Sequence, residues 1–127
     1  ILELMQKRDS IYIVDDQKGR PTFCDDLVEA TLELINEKGL FHFAGQRCLS
    51  WFGWAEEVLK HLKEKNIPFL CRELKPILSS SYLCAAKRPL FSVLATEKYE
   101  TVTGKKPPCW EEGLRACLKE VYAKRFC

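Results

Sequence analysis

Apolar residues recur at helical spacing after Ser50 and form the clearest pattern in the chain. They occupy one face of the predicted helix, and charged residues occupy the opposite face. The apolar face comprises Trp51, Trp54, Ala55, Val58, Leu59 and Leu62. Ser50 stands directly before this repeat, where a hydroxyl can accept a hydrogen bond from a free backbone N–H. The pattern therefore predicts a helix that begins after Ser50.

Shorter patterns predict further elements along the chain. A run of β-branched and aromatic residues predicts a strand at residues 11–14, and residues 40–43 and 69–74 are also predicted as short strands. Helical spacing of apolar residues predicts helices at residues 1–5, 25–36 and 95–103, and a last helix from Trp110 onward. Gly19 and Pro21 mark residues 15–22 as a loop. Because helices and short strands alternate, the sequence predicts the α/β class.

Two of these helices have predicted buried faces. The face of the 25–36 helix comprises Leu27, Val28, Ala30, Leu34 and Ile35. The face of the last helix comprises Leu114, Cys117, Leu118 and Val121. Both faces are expected to pack in a core.

The composition is that of a globular protein. Of the 127 residues, 46% are hydrophobic and 30% are charged, which suits one domain. No apolar run approaches the roughly 20 residues that cross a bilayer. The 20 basic and 18 acidic side chains give a net charge of +2, too small to indicate a nucleic-acid surface. We therefore expect a cytoplasmic chain with no nucleic-acid or membrane partner.

The seven cysteines favour neither a metal site nor a disulfide framework. Their number is odd and no C-x-x-C pair occurs. We expect reduced thiols that serve as small core residues, rather than a catalytic thiol.

The chain contains no self-sufficient catalytic motif. It lacks a G-x-G-x-x-G loop, a Walker loop, a G-x-S-x-G elbow and an H-E-x-x-H pair. Its two histidines, His42 and His61, stand apart from each other and favour structural roles. No catalytic residue is predicted within this chain.

Two loops rich in hydrogen-bonding groups are the best candidates for ligand binding. They cover residues 16–22 and 86–92, and each places an arginine beside a proline, at Arg20 and at Arg88. A guanidinium held in this way could grip a phosphate with little loss of entropy. Two such loops could clamp one diphosphate, although solvated surface turns would show the same pattern.

The same stretches resemble a known family. The motifs follow one another in the same order as in dTDP-4-dehydrorhamnose reductases and cover nearly the whole chain. They are D-Q-x-G-x-P-T at residues 16–22, G-x-x-H-x-x-G at residues 39–45, Ser50-Trp51, Lys87-Arg88-Pro89 with Ser92 and Leu94, and Pro108-Cys109-Trp110. One such motif alone would be weak evidence, but five in order make the resemblance specific.

The resemblance implies the substrate-binding, C-terminal part of an extended short-chain dehydrogenase/reductase with a Rossmann-like parent. In that family NADPH binds to an N-terminal half, and a Tyr-x-x-x-Lys pair drives the reduction. Neither feature occurs here, since no tyrosine of the chain has a lysine four positions later. Residues 1–127 are thus expected to form a single sugar-nucleotide-binding domain without cofactor, metal or catalytic activity of its own. The resemblance implies four substrate-binding residues: Arg88, Arg20, Gln17 and Thr22.

Several expectations stay open at this point. The absence of an initiator Met suggests a fragment, whose partner would be the N-terminal Rossmann half. A lone fragment is expected to self-associate through the faces it would leave uncovered. Alternative functions are a regulatory subunit of the same fold, like the β subunit of methionine adenosyltransferase, or another nucleotide-sugar reductase or epimerase. Trp51 could face the sugar, but its position on the apolar stripe favours core packing.

Overall fold

A computed structural model describes residues 1–123 of the chain. The helices are α1 (Leu2–Lys7), α2 (Cys24–Glu33), α3 (Trp51–Glu64), α4 (Glu97–Thr103) and α5 (Trp110–Ala123). The strands are β1 (Ser10–Val14), β2 (Lys18–Gly19), β3 (Leu49–Ser50) and β4 (Glu73–Ile77), and a 3₁₀ turn covers Ser79–Ser81. This arrangement of helices and short strands is the α/β class that the sequence predicts.

The chain forms two compact units. The first combines Ile1–Gly19 with Leu49–Ser92, and the second combines Arg20–Cys48 with Val93–Cys127. The interpretation of the chain as one sugar-nucleotide-binding domain stays a prediction. In the part of the chain that the structure describes, no helix is both long enough and apolar enough to cross a membrane.

The first unit is built on a parallel pair of strands. β1 pairs with β4, from Ser10 opposite Glu73 to Val14 opposite Ile77. Alternate residues of β1 point to opposite faces, so that Ile11 and Ile13 are buried while Tyr12 is exposed. A second, antiparallel pair joins β2 to β3.

Helix α3 packs against both strands of the parallel pair. Its inner face buries Ala55, Val58 and Leu62, three residues of the predicted stripe. The helix begins as predicted, because the Ser50 hydroxyl oxygen accepts a hydrogen bond from the Gly53 N–H at 3.0 Å. Sequence pattern and tertiary packing agree on this element.

Two strand predictions in the first unit need correction. The predicted strand at residues 69–74 is shifted, because pairing with β1 sets its limits at Glu73 and Ile77. Pro76 lies inside this strand although proline has no backbone N–H to donate. In a two-stranded sheet each strand has one edge without a partner strand, so a proline is tolerated there. The predicted loop at residues 15–22 contains β2, since Lys18 and Gly19 find a partner in β3.

In the second unit, α2, α4 and α5 each contribute buried residues. The core residues are Ala30, Ala44, Thr96, Tyr99, Pro107, Trp110, Leu114 and Leu118. Gly45 is required by close packing, since a Cβ there would lie 2.3 Å from the backbone oxygen of Pro21. α4 ends as predicted at Gly104, whose φ of 68° is left-handed.

The predicted strand at residues 40–43 does not form within residues 1–123. A strand needs a neighbouring strand as its hydrogen-bonding partner, and a local run of apolar and aromatic residues does not supply one. Instead, the Lys98 ammonium donates to the Leu40 carbonyl at 2.8 Å. The rings of Phe43 and Tyr99 pack edge to face, with their centroids 4.9 Å apart. These contacts hold the segment within the second unit without a sheet.

Two predicted core faces are also less buried than expected. α2 ends at Glu33, and the exposed fractions of Leu27, Val28 and Ile35 are 47%, 57% and 70%. On α5, Leu114 and Leu118 are buried as predicted, but Cys117 is exposed. Apolar spacing identifies a helix face but not whether another part of the chain covers it.

The cysteines depart from the expectation of small core residues. Those in residues 1–123 are free thiols, and among them only Cys71 is buried. Burial raises the pKa of the Cys71 thiol, which makes the thiolate less accessible. Cys24, Cys48, Cys84 and Cys117 are exposed.

A buried tyrosine anchors the second unit. Tyr99 is 4% exposed, and its hydroxyl donates to Glu33 Oε2 at 2.7 Å. Lys105 pairs with the other oxygen of the same carboxylate. The hydrogen bonds from Lys105 and Tyr99 lower the pKa of Glu33. Burial, followed by the bond to Glu33, raises the pKa of Tyr99 to about 12.

The N-cap of α3 can be tested by substitution. Ser50→Ala removes the acceptor for the Gly53 N–H and should lower the free energy of unfolding by about 1 kcal/mol. Urea unfolding measures the loss, with the exposed Ser81→Ala as the matched control. Equal stability of the two variants would show that the cap contributes nothing.

The Tyr99 environment predicts a stability change at alkaline pH. The folded-state pKa of about 12 lies above the ordinary value of 10.0, so unfolding releases a proton between these values. The free energy of unfolding should therefore fall as the pH rises through this window. Tyr99→Phe should lack this part of the decline. Urea unfolding below and above pH 10 would measure the decline, with the exposed Tyr82→Phe as control. The same slope in the wild type and Tyr99→Phe would contradict the assignment.

Candidate functional site

A cavity of about 920 Å³, called the Arg88 cavity below, opens in the first unit. Its size falls within the range usual for small-molecule sites. Its lining includes Tyr12, Gln17, Trp51, Tyr82, Cys84 and Arg88. It combines aromatic faces with a cationic rim, a lining that suits a charged ligand with flat groups.

The parallel pairing of β1 and β4 creates one end of this cavity. The strands finish side by side at Val14 and Ile77, and the segments that leave them both line the cavity. From β1 the chain supplies Asp16 and Gln17, and from β4 it supplies Ser79 and Ser80. Carboxyl ends of parallel strands are the usual place for ligand sites in α/β folds.

The start of α3 provides an aromatic wall. Trp51 is the first residue of the helix and lines the cavity. Its exposed fraction is 48%, so the prediction of core packing for this residue is wrong. The helical stripe misled because Trp51, at the first position of α3, lies on the cavity, whereas Ala55, Val58 and Leu62 further along the same face are buried. The resemblance to Ser50-Trp51 in the family was the signal that could have identified it.

The second predicted loop supplies the cationic rim. Lys87 and Arg88 are both exposed and line the cavity. Within residues 1–123, no carboxylate forms a salt bridge with either side chain. The Arg88 guanidinium is therefore available to an anion from solution.

The backbone joins the two predicted loops within the first unit. The Lys18 N–H donates to the Leu90 carbonyl at 2.8 Å, and the Ser92 N–H donates to the Lys18 carbonyl at 2.9 Å. A Cβ at Gly19 would lie 3.1 Å from the Ser92 Oγ, so a larger residue there would require the Ser92 side chain to shift slightly. The two loops are thus held together at Lys18.

The four predicted site residues separate into two groups. Gln17 and Arg88 line the Arg88 cavity of the first unit. Arg20 and Thr22 belong to the second unit. There, Arg20 Nη1 donates to the Leu94 carbonyl at 3.2 Å, and the Thr22 hydroxyl accepts from the Gly45 N–H at 3.2 Å. The D-Q-x-G-x-P-T motif therefore combines residues that line the cavity with residues that hold the second unit together.

Metal chemistry has no support in residues 1–123. No group of three or more histidine, cysteine, aspartate or glutamate side chains there could hold a metal ion. The cavity is suited to binding by hydrogen bonds, aromatic contacts and the charge of Arg88.

Comparisons with known proteins agree with the motifs. The family model described as RmlD substrate binding domain matches residues 1–123. The chain is 26% identical to the dTDP-4-dehydrorhamnose reductase of Escherichia coli K12, over 96% of this chain and 43% of that protein. It is 28% identical to the spore coat polysaccharide biosynthesis protein SpsK of Bacillus subtilis, over 94% of this chain and 40% of that protein.

Solved structures show the same likeness. A dTDP-4-dehydrorhamnose reductase from Clostridium acetobutylicum matches with a TM-score of 0.83 and 28% identity, covering 95% of this chain and 42% of that one. The enzyme from Bacillus anthracis, solved in complex with NADP, matches with a TM-score of 0.80 and 27% identity, covering 94% and 41%. The chain spans about two-fifths of the length of these relatives. By its match to the family model over residues 1–123, the chain belongs to the RmlD substrate binding domain family.

Proposed function

We propose that the chain is the substrate-binding part of an NADPH-dependent dTDP-4-dehydrorhamnose reductase, acting in the biosynthesis of dTDP-L-rhamnose. The observation that carries the proposal is the meeting of Gln17, Trp51 and Arg88 in one cavity of a chain from this family. These residues come from three separate segments, so the fold alone brings them together. The ligand proposed for the Arg88 cavity is a dTDP-sugar.

The lining of the cavity supports this class of ligand. The free guanidinium of Arg88 can donate two parallel hydrogen bonds to a diphosphate, and Lys87 adds positive charge beside it. Trp51 and Tyr82 offer flat faces to a base or sugar ring. The Gln17 amide can donate and accept hydrogen bonds, which suits a sugar hydroxyl.

Arg20 and Thr22 are proposed to act on binding indirectly. Their hydrogen bonds to Leu94 and Gly45 hold the second half of the motif within the second unit. We propose that they help to bind the sugar nucleotide by fixing this segment. Arg88 and Gln17 are the residues proposed to touch it.

NADPH is proposed for the complete protein but not for the residues of this chain. A dinucleotide site needs a glycine-rich turn whose N–H groups face the pyrophosphate after a strand. After β1 stand Asp15 and Asp16 instead, whose carboxylates bond Ser50 and Ser79. The turn after β1 is therefore not of this kind, and the cofactor is proposed to bind in the other part of the complete protein.

The role left to this chain is to bind and orient the substrate. Binding energy gained at a remote diphosphate can hold the sugar in a reactive position. Catalytic groups are proposed to come from other parts of the complete protein. By this proposal, residues 1–127 alone do not reduce a sugar.

Substitution of Arg88 tests the proposed ligand contact. In the complete protein, Arg88→Ala should weaken binding of dTDP and dTDP-rhamnose by roughly 10- to 100-fold, the usual value of a charge-assisted contact. NADPH affinity should stay unchanged. Calorimetric titration of each ligand measures both effects. The control is Arg72→Ala, since Arg72 is exposed, pairs with Asp9 and lies outside the cavity.

Each result of this titration has a distinct meaning. Loss of dTDP binding only in Arg88→Ala would support the contact. An equal loss of NADPH affinity would contradict it. A wild-type protein that binds NADPH but neither dTDP ligand would refute the proposed substrate.

The exposed thiols provide a second test of ligand position. Cys84 lines the Arg88 cavity, whereas Cys24, Cys48 and Cys117 are exposed in the second unit. Saturating dTDP-rhamnose should slow alkylation of Cys84 by several-fold and leave the other three rates unchanged. Mass spectrometry of alkylated peptides measures the four rates. Uniform slowing, or none at Cys84, would place the ligand elsewhere.

A further inference from the structure

Two consecutive aspartates follow β1 and bond different walls of the Arg88 cavity. Alternate side chains of an extended chain point in opposite directions, so Asp15 and Asp16 can reach separate segments. Asp16 reaches the 3₁₀ turn at Ser79–Ser81, and Asp15 reaches Ser50 at the start of α3. Both segments contribute side chains to the cavity.

Asp16 fixes the wall formed by the 3₁₀ turn. Its Oδ1 accepts from the Ser79 N–H at 2.9 Å, and its Oδ2 accepts from the Ser79 hydroxyl at 2.8 Å. Two charge-assisted bonds to one residue fix both its position and its rotation. Ser80 and Tyr82, which follow Ser79 closely, then have defined places in the cavity lining.

Asp15 fixes the wall formed by Trp51. The Ser50 hydroxyl has one hydrogen, which it donates to Asp15 Oδ1. This bond leaves the hydroxyl lone pairs for the Gly53 N–H, which donates to Ser50 Oγ at 3.0 Å. Ser50 is only 7% exposed, so Asp15 provides an acceptor for a hydroxyl that the protein largely covers. The first turn of α3, and Trp51 with it, is thereby held against the end of β1.

The carboxylates of Asp15 and Asp16 are unsuited to direct contact with a diphosphate. Like charges repel, and both aspartates already accept hydrogen bonds from the protein. The two walls are bonded to two adjacent residues, Asp15 and Asp16, directly after β1. The distance between the walls therefore depends on these two residues. A ligand that must fit between Trp51 and the 3₁₀ turn is sensitive to that separation.

We propose that Asp15 and Asp16 are positioning residues that set the two walls of the Arg88 cavity and thereby the selectivity for the bound sugar nucleotide. This inference rests on the proposed function. Asp16→Ala and Asp15→Ala should each weaken dTDP-rhamnose binding by about tenfold or more, because a preformed site becomes a mobile one. Binding of free dTDP should fall less than binding of dTDP-rhamnose, so the preference for the sugar nucleotide declines.

The test uses the complete protein and a conservative rescue. In Asp16→Asn, the amide oxygen can accept from the Ser79 N–H and the amide nitrogen can donate to the Ser79 hydroxyl, so both bonds survive without the charge. Asp16→Asn should therefore bind dTDP-rhamnose within about twofold of the wild type. Asp9→Ala is the matched control, since Asp9 pairs with Arg72 at 3.1 Å and lies outside the cavity.

Hydrogen–deuterium exchange provides a readout that needs no ligand. Asp16→Ala should speed exchange in the peptide covering residues 78–83, and Asp15→Ala should do so at the start of α3. Calorimetry of dTDP and dTDP-rhamnose on the same samples separates the two hypotheses. If the wild type binds neither ligand, the proposed function fails while exchange still decides whether the aspartates hold the walls.

Three results would overturn the inference itself. One is unchanged exchange in both Ala variants. Another is faster exchange with full dTDP-rhamnose affinity, which would make the bonds structural only. The third is an Asp16→Asn variant as weak as Asp16→Ala, which would assign the effect to charge rather than position.

Discussion

The parallel pairing of β1 and β4 is the constraint on which the candidate site depends. Because the strands run in the same direction, their carboxyl ends lie side by side, at Val14 and Ile77. The segments that leave them turn into one cavity, which explains how Gln17 and Ser79 come to share it. α3 packs on the same strands and presents Trp51 at the same end. A single register thus brings three segments of the first unit to one place.

Polar contacts then convert this placement into a defined surface. Backbone bonds at Lys18 hold the Arg88 loop, and the carboxylates of Asp15 and Asp16 hold two further segments. None of these bonds uses Arg88, and no carboxylate of the described residues, 1–123, forms a salt bridge with it. The polar groups that shape the cavity are therefore hydrogen-bonded within the protein, whereas the Arg88 guanidinium is exposed. This is the arrangement that binding of an anion would require.

The second unit shows a different use of motif residues. Thr22 and Gly45 come from two of the motifs that carried the family resemblance, and they bond to each other. Gly45 also permits the close approach of the Pro21 backbone. A motif can thus identify a family through residues that pack as well as through residues that bind. For this reason the resemblance identified the family more securely than it assigned each role.

The sequence alone determined the elements whose causes are local. The N-cap at Ser50, the end of α4 at Gly104 and the helical spacing in α3 and α5 depend on neighbouring residues, and each was predicted. The family was also identified from motifs, since their order is a property of the chain.

Only the tertiary structure decided features that depend on a distant partner. The limits of β4 depend on its register with β1, and residues 40–43 form no strand because none pairs with them within residues 1–123. The exposure of Trp51 depends on what the rest of the first unit leaves uncovered, and the assignment of Arg20 and Arg88 to different units depends on which segments pack together. Burial and strand pairing are relations between residues far apart in the chain, and local spacing does not contain them.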